Sequence, residues 1–122
     1  MNEIEYLLDT NIIIGILKGY VPAIALAKEV ELTLNKAAIS QITRLELLSY
    51  SKLTNLEEQE IRAFLSNCQV FPLDDMIEIE AIRLRKKGNL KLPDAIVAAT
   101  AIVKKLRLLT LDQKMLNKYV LN

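Results

Sequence analysis

Three acids in this sequence end or open apolar segments, and a fourth lies on the helix expected after one. Asp9 ends Ile4–Leu8, Asp112 ends Arg107–Leu111, Glu46 follows the short apolar run Ala37–Ser40, and Asp94 opens Ala95–Val103. Carboxylates gathered in one place repel, and in a bare protein one or more would take up a proton. A divalent cation reverses this by holding them ionised. An all-oxygen donor set suits Mg2+ or Mn2+. Such an ion activates water and stabilises a leaving oxygen, so phosphodiester hydrolysis is the reaction this donor set fits best.

The other residues narrow the choice. The chain has no histidine, which removes imidazole bases and histidine-based zinc sites. Its single cysteine, Cys68, can form neither an internal disulfide nor a thiolate cluster and reads as buried filler. Three scattered glycines make no phosphate-cradling loop. Sixteen Lys and Arg against 15 Asp and Glu leave a net charge of +1, which is no general coat for a polyanion. The cations are locally dense, however. Arg83, Arg85, Lys86, Lys87 and Lys91 lead straight to Asp94, where they fit either phosphate contacts or a helix C-terminal dipole. Arg44, two residues before Glu46, and Lys114, two after Asp112, are candidates with Lys91 for touching substrate phosphate. An aromatic share of 5% argues against extensive base stacking.

Each acid also has a structural reading. Asp9 fits a helix cap, Glu46 a solvated helix residue, Asp94 a partner for a helix dipole, and Asp112 a turn. The elements that must position them favour a joint role. Strands are expected at 4–8, 37–40, 69–73 and 107–111, with a possible edge strand at Tyr119–Leu121. Helices are expected from Ile12 to Lys18, from Pro22 to about Asn35, and from Thr43 to Tyr50. A capping box, Thr54-x-x-Glu57, opens another, Asp75-x-x-Glu78 opens one ended by Gly88, and Asp94–Lys105 is almost without a polar face. This alternation predicts an α/β fold in which a central parallel sheet of four or five strands is flanked by helices as an α/β/α sandwich, with 1–122 forming a single domain. Right-handed crossovers place the carboxyl ends of such strands on one edge, where open sheets bind ligands. Four acids distant in sequence thus have a topological reason to meet.

The motifs carry a family likeness. Leu7-Leu8-Asp9-Thr10-Asn11, Ile39-Ser40-x-x-Thr43-x-x-Glu46, Leu92-Pro93-Asp94-Ala95-x-x-Ala98-Ala99-Thr100-Ala101 and Leu109-Thr110-x-Asp112 together resemble a PIN-domain nuclease. Within that family the chain is most similar to VapC-type toxins of toxin–antitoxin pairs. The likeness runs in order along nearly the whole chain. It implies a Mg2+- or Mn2+-dependent endoribonuclease acting on RNA, a cognate antitoxin protein and a homodimer. Asp9 and Asp94 match the main metal ligands, Glu46 and Asp112 the other two acids, and Asn11 and Thr110 the polar residues that support them. Lys104-Lys105-Leu106 departs from the pattern, since relatives often carry a glycine before the fourth strand. That difference affects a turn and no site residue.

Other readings stay open. A phosphatase or phosphotransfer domain also places an Asp after its first strand, although Asp9-Thr10-Asn11 lacks the second Asp of the aspartate-nucleophile pattern. A catalytically inactive binding module is the third reading. The apolar segments Ile12–Leu17 and Ala23–Leu34 fit core packing or a groove for an antitoxin helix. No apolar run reaches the roughly 18 residues of a membrane span, and Glu3 and Glu5 stand where a signal peptide would be basic. A cytoplasmic protein with no membrane contact is the expectation.

Overall fold

The computed structural model describes residues 3–121. Its elements follow in the order β1 (Tyr6–Leu8), α1 (Thr10–Leu17), α2 (Val21–Glu29), β2 (Ala37–Ser40), α3 (Gln41–Leu48), α4 (Asn55–Leu65), β3 (Gln69–Phe71), α5 (Asp75–Gly88), α6 (Leu92–Lys104), β4 (Arg107–Leu109) and α7 (Gln113–Leu121). A single 3-10 turn, Leu34–Lys36, leads into β2. The four strands form one parallel sheet in the order β3-β2-β1-β4. Strand order reverses beside β1, since β2 and β3 extend to one side and β4 pairs on the other. The crevice beyond the carboxyl ends of β1 and β4 is where such a sheet takes a ligand.

Alternation along the strands divides the core in two. Leu7, Ala38 and Leu108 face a layer built from α5, α6 and α7, whereas Leu8, Ala37, Ile39 and Leu109 face α1, α3 and α4. The α6 helix bridges sheet and α5, and every residue from Ala95 to Ala101 is buried. Its alanines let the sheet and α5 approach closely, as an all-apolar helix requires. On the other face, a Cβ placed on Gly15 of α1 would stand 2.5 Å from the Ala23 Cβ of α2, so only glycine permits that contact. Among the described residues, no single helix is long and apolar enough to cross a membrane.

Most expected boundaries shift by one or two residues, and three differences have an identifiable cause. The expected edge strand Tyr119–Leu121 is the end of α7, because the Asp112 carboxylate accepts the Met115 N–H at 3.0 Å and opens a helix. Met115, Leu116 and Tyr119 then pack on the core at helical spacing. The second helix stops at Glu29 rather than near Asn35. Leu32 N donates to the Ala27 carbonyl and Glu31 N to that of Lys28, with Glu31 left-handed at φ 53°. This is a Schellman closure with a glutamate where glycine is usual. The fifth helix is capped by Asp74, whose side chain accepts Ile77 N, and the left-handed residue at its far end is Asn89, not Gly88. The Thr54–Glu57 capping box is present in both directions. Cys68 is half-buried, and burial pushes its thiol up to about 11.

Candidate active site

The crevice at the β1–β4 end is a cleft of about 900 Å³ lined by Asp9, Glu46, Asp94 and Asp112, together with Thr10 and Asn11. Four different elements deliver the acids. Asp9 directly follows β1 and caps α1, its carboxylate accepting Thr10 N at 2.8 Å. Asp112 follows β4 and opens α7. Glu46 lies on α3 and Asp94 in the first turn of α6. Asp9 is buried, while Asp94 and Asp112 are half-buried and Glu46 stands at the open rim.

Hydrogen bonds fix the deeper part of the cleft. The Thr110 hydroxyl donates to Asp9 Oδ2 at 2.7 Å and accepts the Asp112 N–H at 3.1 Å. Asn11 Nδ2 lies 3.1 Å from Thr110 Oγ1 and 3.4 Å from Asp9 Oδ2, while its carbonyl accepts Leu111 N at 3.0 Å. The segment after β4 is thereby stitched to the start of α1. At the rim, the Thr10 hydroxyl donates to Glu46 Oε1 at 3.0 Å. Thr10 was not singled out from the sequence. Its place between Asp9 and Asn11 at a strand–helix joint was the available signal.

The electrostatics are those of crowded acids. Burial raises the Asp9 carboxyl above its ordinary value. The Thr110 hydroxyl and the Thr10 N–H pull it down, and the Asp112 charge adds to the rise. Glu46 is raised by desolvation against the Thr10 hydrogen bond, with Asp9 and Asp94 adding to it. Asp94 is raised by burial and then by Asp9 and Asp112, while Lys91 and Lys118 act in the opposite sense. Among the described residues, no three acids or cysteines already stand at metal-ligand spacing. The donor chemistry nonetheless fits a hard divalent cation: every donor is an oxygen, and three carboxyls are held above their ordinary values in ways a nearby positive charge would relieve.

The three candidate phosphate contacts lie outside the cleft lining. Arg44 is half-buried on α3, Lys91 is the residue that α6 starts from, and Lys114 is exposed in the first turn of α7. Arg83 pairs with Glu80 one turn back on α5, so it answers a local acid rather than the cleft. Lys118 was missed from the sequence, because nothing in it shows that α7 packs against α5 and reaches the Asn89 carbonyl.

A four-stranded parallel sheet with acids at the reversal of strand order defines the class, and the PIN domain family profile matches residues 6–121. The chain belongs to the PIN domain family. Among solved structures it is similar to a toxin–antitoxin complex from Klebsiella pneumoniae, with 36% identity, a TM-score of 0.74, and coverage of 87% of this chain and 85% of that one. It is also similar to VapBC-1 from nontypeable Haemophilus influenzae, with 27% identity, a TM-score of 0.72, and coverage of 96% and 93%. VapBC2 from Rickettsia felis, at 22% identity and a TM-score of 0.75 over 93% and 92% of the two chains, shows the fold alone. No curated protein matches the sequence at a significant level. The likeness to PIN domains of the VapC type, drawn from the motifs, is borne out.

Proposed function

We propose that this chain is the toxin of a toxin–antitoxin pair and cleaves RNA as a Mg2+- or Mn2+-dependent endoribonuclease. The observation that carries the proposal is the convergence of Asp9, Glu46, Asp94 and Asp112 from four elements into one cleft. Asp9 and Asp94 would hold the cation, with Glu46 and Asp112 completing its acidic surroundings. A bound divalent ion would supply Lewis-acid activation of the phosphodiester and of water. The chain's own residues orient the donors. Thr110 and Asn11 hold the Asp9 carboxylate, and Thr10 holds Glu46. Arg44, Lys91 and Lys114 are the candidate phosphate contacts. The family and the engagement of Asn11 in three hydrogen bonds leave the phosphotransfer reading without support.

Two surfaces support partner readings. A second groove of about 460 Å³ beside the cleft has an apolar floor that includes Ile14, Leu17, Leu53 and Ile61, with Glu57 and Glu60 at its edge. It suits the apolar face of an antitoxin helix, and the similar structure from K. pneumoniae is a toxin–antitoxin complex. On α5, Met76, Ile79 and Ile82 are half or more exposed at helical spacing, with Leu73 just before the helix. That stripe suits a homodimer.

The test is to purify the chain free of its partner and to map cuts in total RNA with and without Mg2+. Cleavage is expected from the wild type only with the ion, and not from Asp9→Asn or Asp94→Asn of retained fold. Full activity in either variant, with contaminating nuclease excluded, would refute the assignment.

A further inference from the structure

We infer that Lys91 and Lys118 form a paired phosphate grip that holds an RNA strand on the α6–α7 side of the cleft. The inference rests on the endoribonuclease reading and adds where and how the strand is held. Lys91 lies three residues before Asp94, and its backbone is fixed because its carbonyl accepts Ala95 N at 2.9 Å. Lys118 comes from α7, and its ammonium donates to the Asn89 carbonyl at 3.4 Å. Asn89 is the left-handed residue, φ 55°, that turns the chain out of α5 toward Lys91. A side chain from the last helix is thus tethered to the loop carrying the other lysine, and both ammonium charges act on the Asp94 carboxyl. Lys114, one turn before Lys118, continues the line along α7. Arg85, Lys86 and Lys87, exposed in the last turn of α5, extend it on the other side of the loop.

The opposite wall has the other sign. Lys18, which lines the cleft there, stands 4.0 Å from Glu57. Beyond it the second groove carries Glu46, Glu57 and Glu60. A polyanion crossing a cleft that already holds four acids needs compensating cations, and the tethered pair of them lies on the α6–α7 side, with Arg44 of α3 a separate candidate contact beside Glu46. The strand is therefore gripped next to Asp94 and repelled from the α4 side.

The experiment measures affinity for a short fluorescent single-stranded RNA without divalent ion, so that binding is read apart from cleavage. Each phosphate contact on a single strand adds about 0.7 to the slope of log affinity against log salt. Lys91→Gln and Lys118→Gln should each lower that slope by about 0.7. Wild type should lose about sevenfold more affinity than the double variant between about 50 and 200 mM salt. Lys36→Gln is the control, since Lys36 pairs with Glu5 at 3.3 Å and sits at the amino end of β2, the far edge of the sheet. It should leave the slope unchanged. In Mg2+ the double variant should raise KM. A double variant with the wild-type slope, or an equal loss in Lys36→Gln, overturns the grip. A lowered slope in a protein that cuts no RNA keeps the grip and sinks the nuclease reading instead.

Discussion

Thr110→Val tests whether the buried hydroxyl serves the charge of Asp9 or merely fills space. Valine keeps the shape and removes the oxygen. Wild-type Thr110 donates to Asp9 Oδ2 at 2.7 Å and lies 3.1 Å from both Asn11 Nδ2 and Asp112 N, two donors that lose an acceptor in the variant. A hydrogen bond to a charged group is worth about 1.5–3 kcal/mol. The stranded donors add about 1 kcal/mol rather than the full penalty, because Asn11 and Asp112 are only half-buried. The variant should therefore be less stable by about 2–4 kcal/mol near neutral pH. The sign of the pH dependence follows from Asp9. Its folded pKa lies above 3.8 because burial outweighs the hydrogen bonds, and removing the Thr110 bond raises it further. The wild-type advantage from that bond is thus complete above the variant's Asp9 pKa. It is lost as pH falls through that value and then through the wild-type one. By linkage, about 1.4 kcal/mol of pH-dependent loss corresponds to about one unit between the two Asp9 pKa values. Urea unfolding of both proteins in chelator at about pH 8 and about pH 4, with carbon-detected titration of Asp9, measures each side of this relation. An equal stability difference at both pH values, or an Asp9 pKa that stays put, would refute the reasoning.

Mg2+ at 100 times its dissociation constant should stabilise the wild type by about 2.7 kcal/mol in thermal melts at fixed ionic strength. The gain should collapse in Asp9→Ala and Asp94→Ala and persist in Asp75→Ala, whose carboxyl is exposed outside the cleft; an equal response in Asp94→Ala removes Asp94 from the site. Without metal near neutral pH, Asp94→Ala should be as stable as wild type or more so, because an acid with a raised folded pKa costs stability as pH climbs through it. Ile79→Glu, at a position 63% exposed on α5, should turn a dimer into a monomer by light scattering without lowering the melting temperature; a dimer of unchanged strength refutes the α5 interface. Gly15→Ala should cost about 1–3 kcal/mol by forcing α1 from α2, and an unchanged melt would mean that the pair yields freely.

The sheet and the buried helix were legible because their signals are collective. Leu7 and Leu8, or Ala38 and Ile39, alternate between faces, and α6 has no polar face to expose. Helix ends were less legible because they depend on single backbone angles. Glu31 and Lys105 take left-handed values, φ 53° and 58°, at closures where a glycine would announce itself. At Lys105 the missing glycine is the departure noted before the fourth strand. Leu106 N still reaches the Ala101 carbonyl, so the closure forms at the strain of a non-glycine residue. Tyr119 and Val120 look strand-like alone, and only the Asp112 cap with the spacing of Met115, Leu116 and Tyr119 makes the segment helical. In the cleft, Asp9, Asp94 and Asp112 were nameable because each borders an apolar segment, and Glu46 because it lies on the helix that follows one. Thr10 and Lys118 were not, since their roles arise from pairings 36 and 29 residues distant.

Cap and site are not exclusive readings here, and the acids show how to separate them. Asp9 and Asp112 both cap helices, through Thr10 N and Met115 N, while lining the cleft. Asp74 is the pure case: it caps α5 through Ile77 N, and that hydrogen bond holds its carboxyl below the ordinary range. Asp94 occupies the first turn of α6, where the helix dipole alone would also favour the charged form. Its carboxyl instead lies above the ordinary value, from burial and from the charges of Asp9 and Asp112. A residue placed only to serve its helix would not be set among buried like charges. The arrangement is unfavourable for the bare chain and would become favourable with a cation between the carboxyls. That opposition between local and collective electrostatics, more than the presence of any one acid, marks Asp94 as belonging to the cleft.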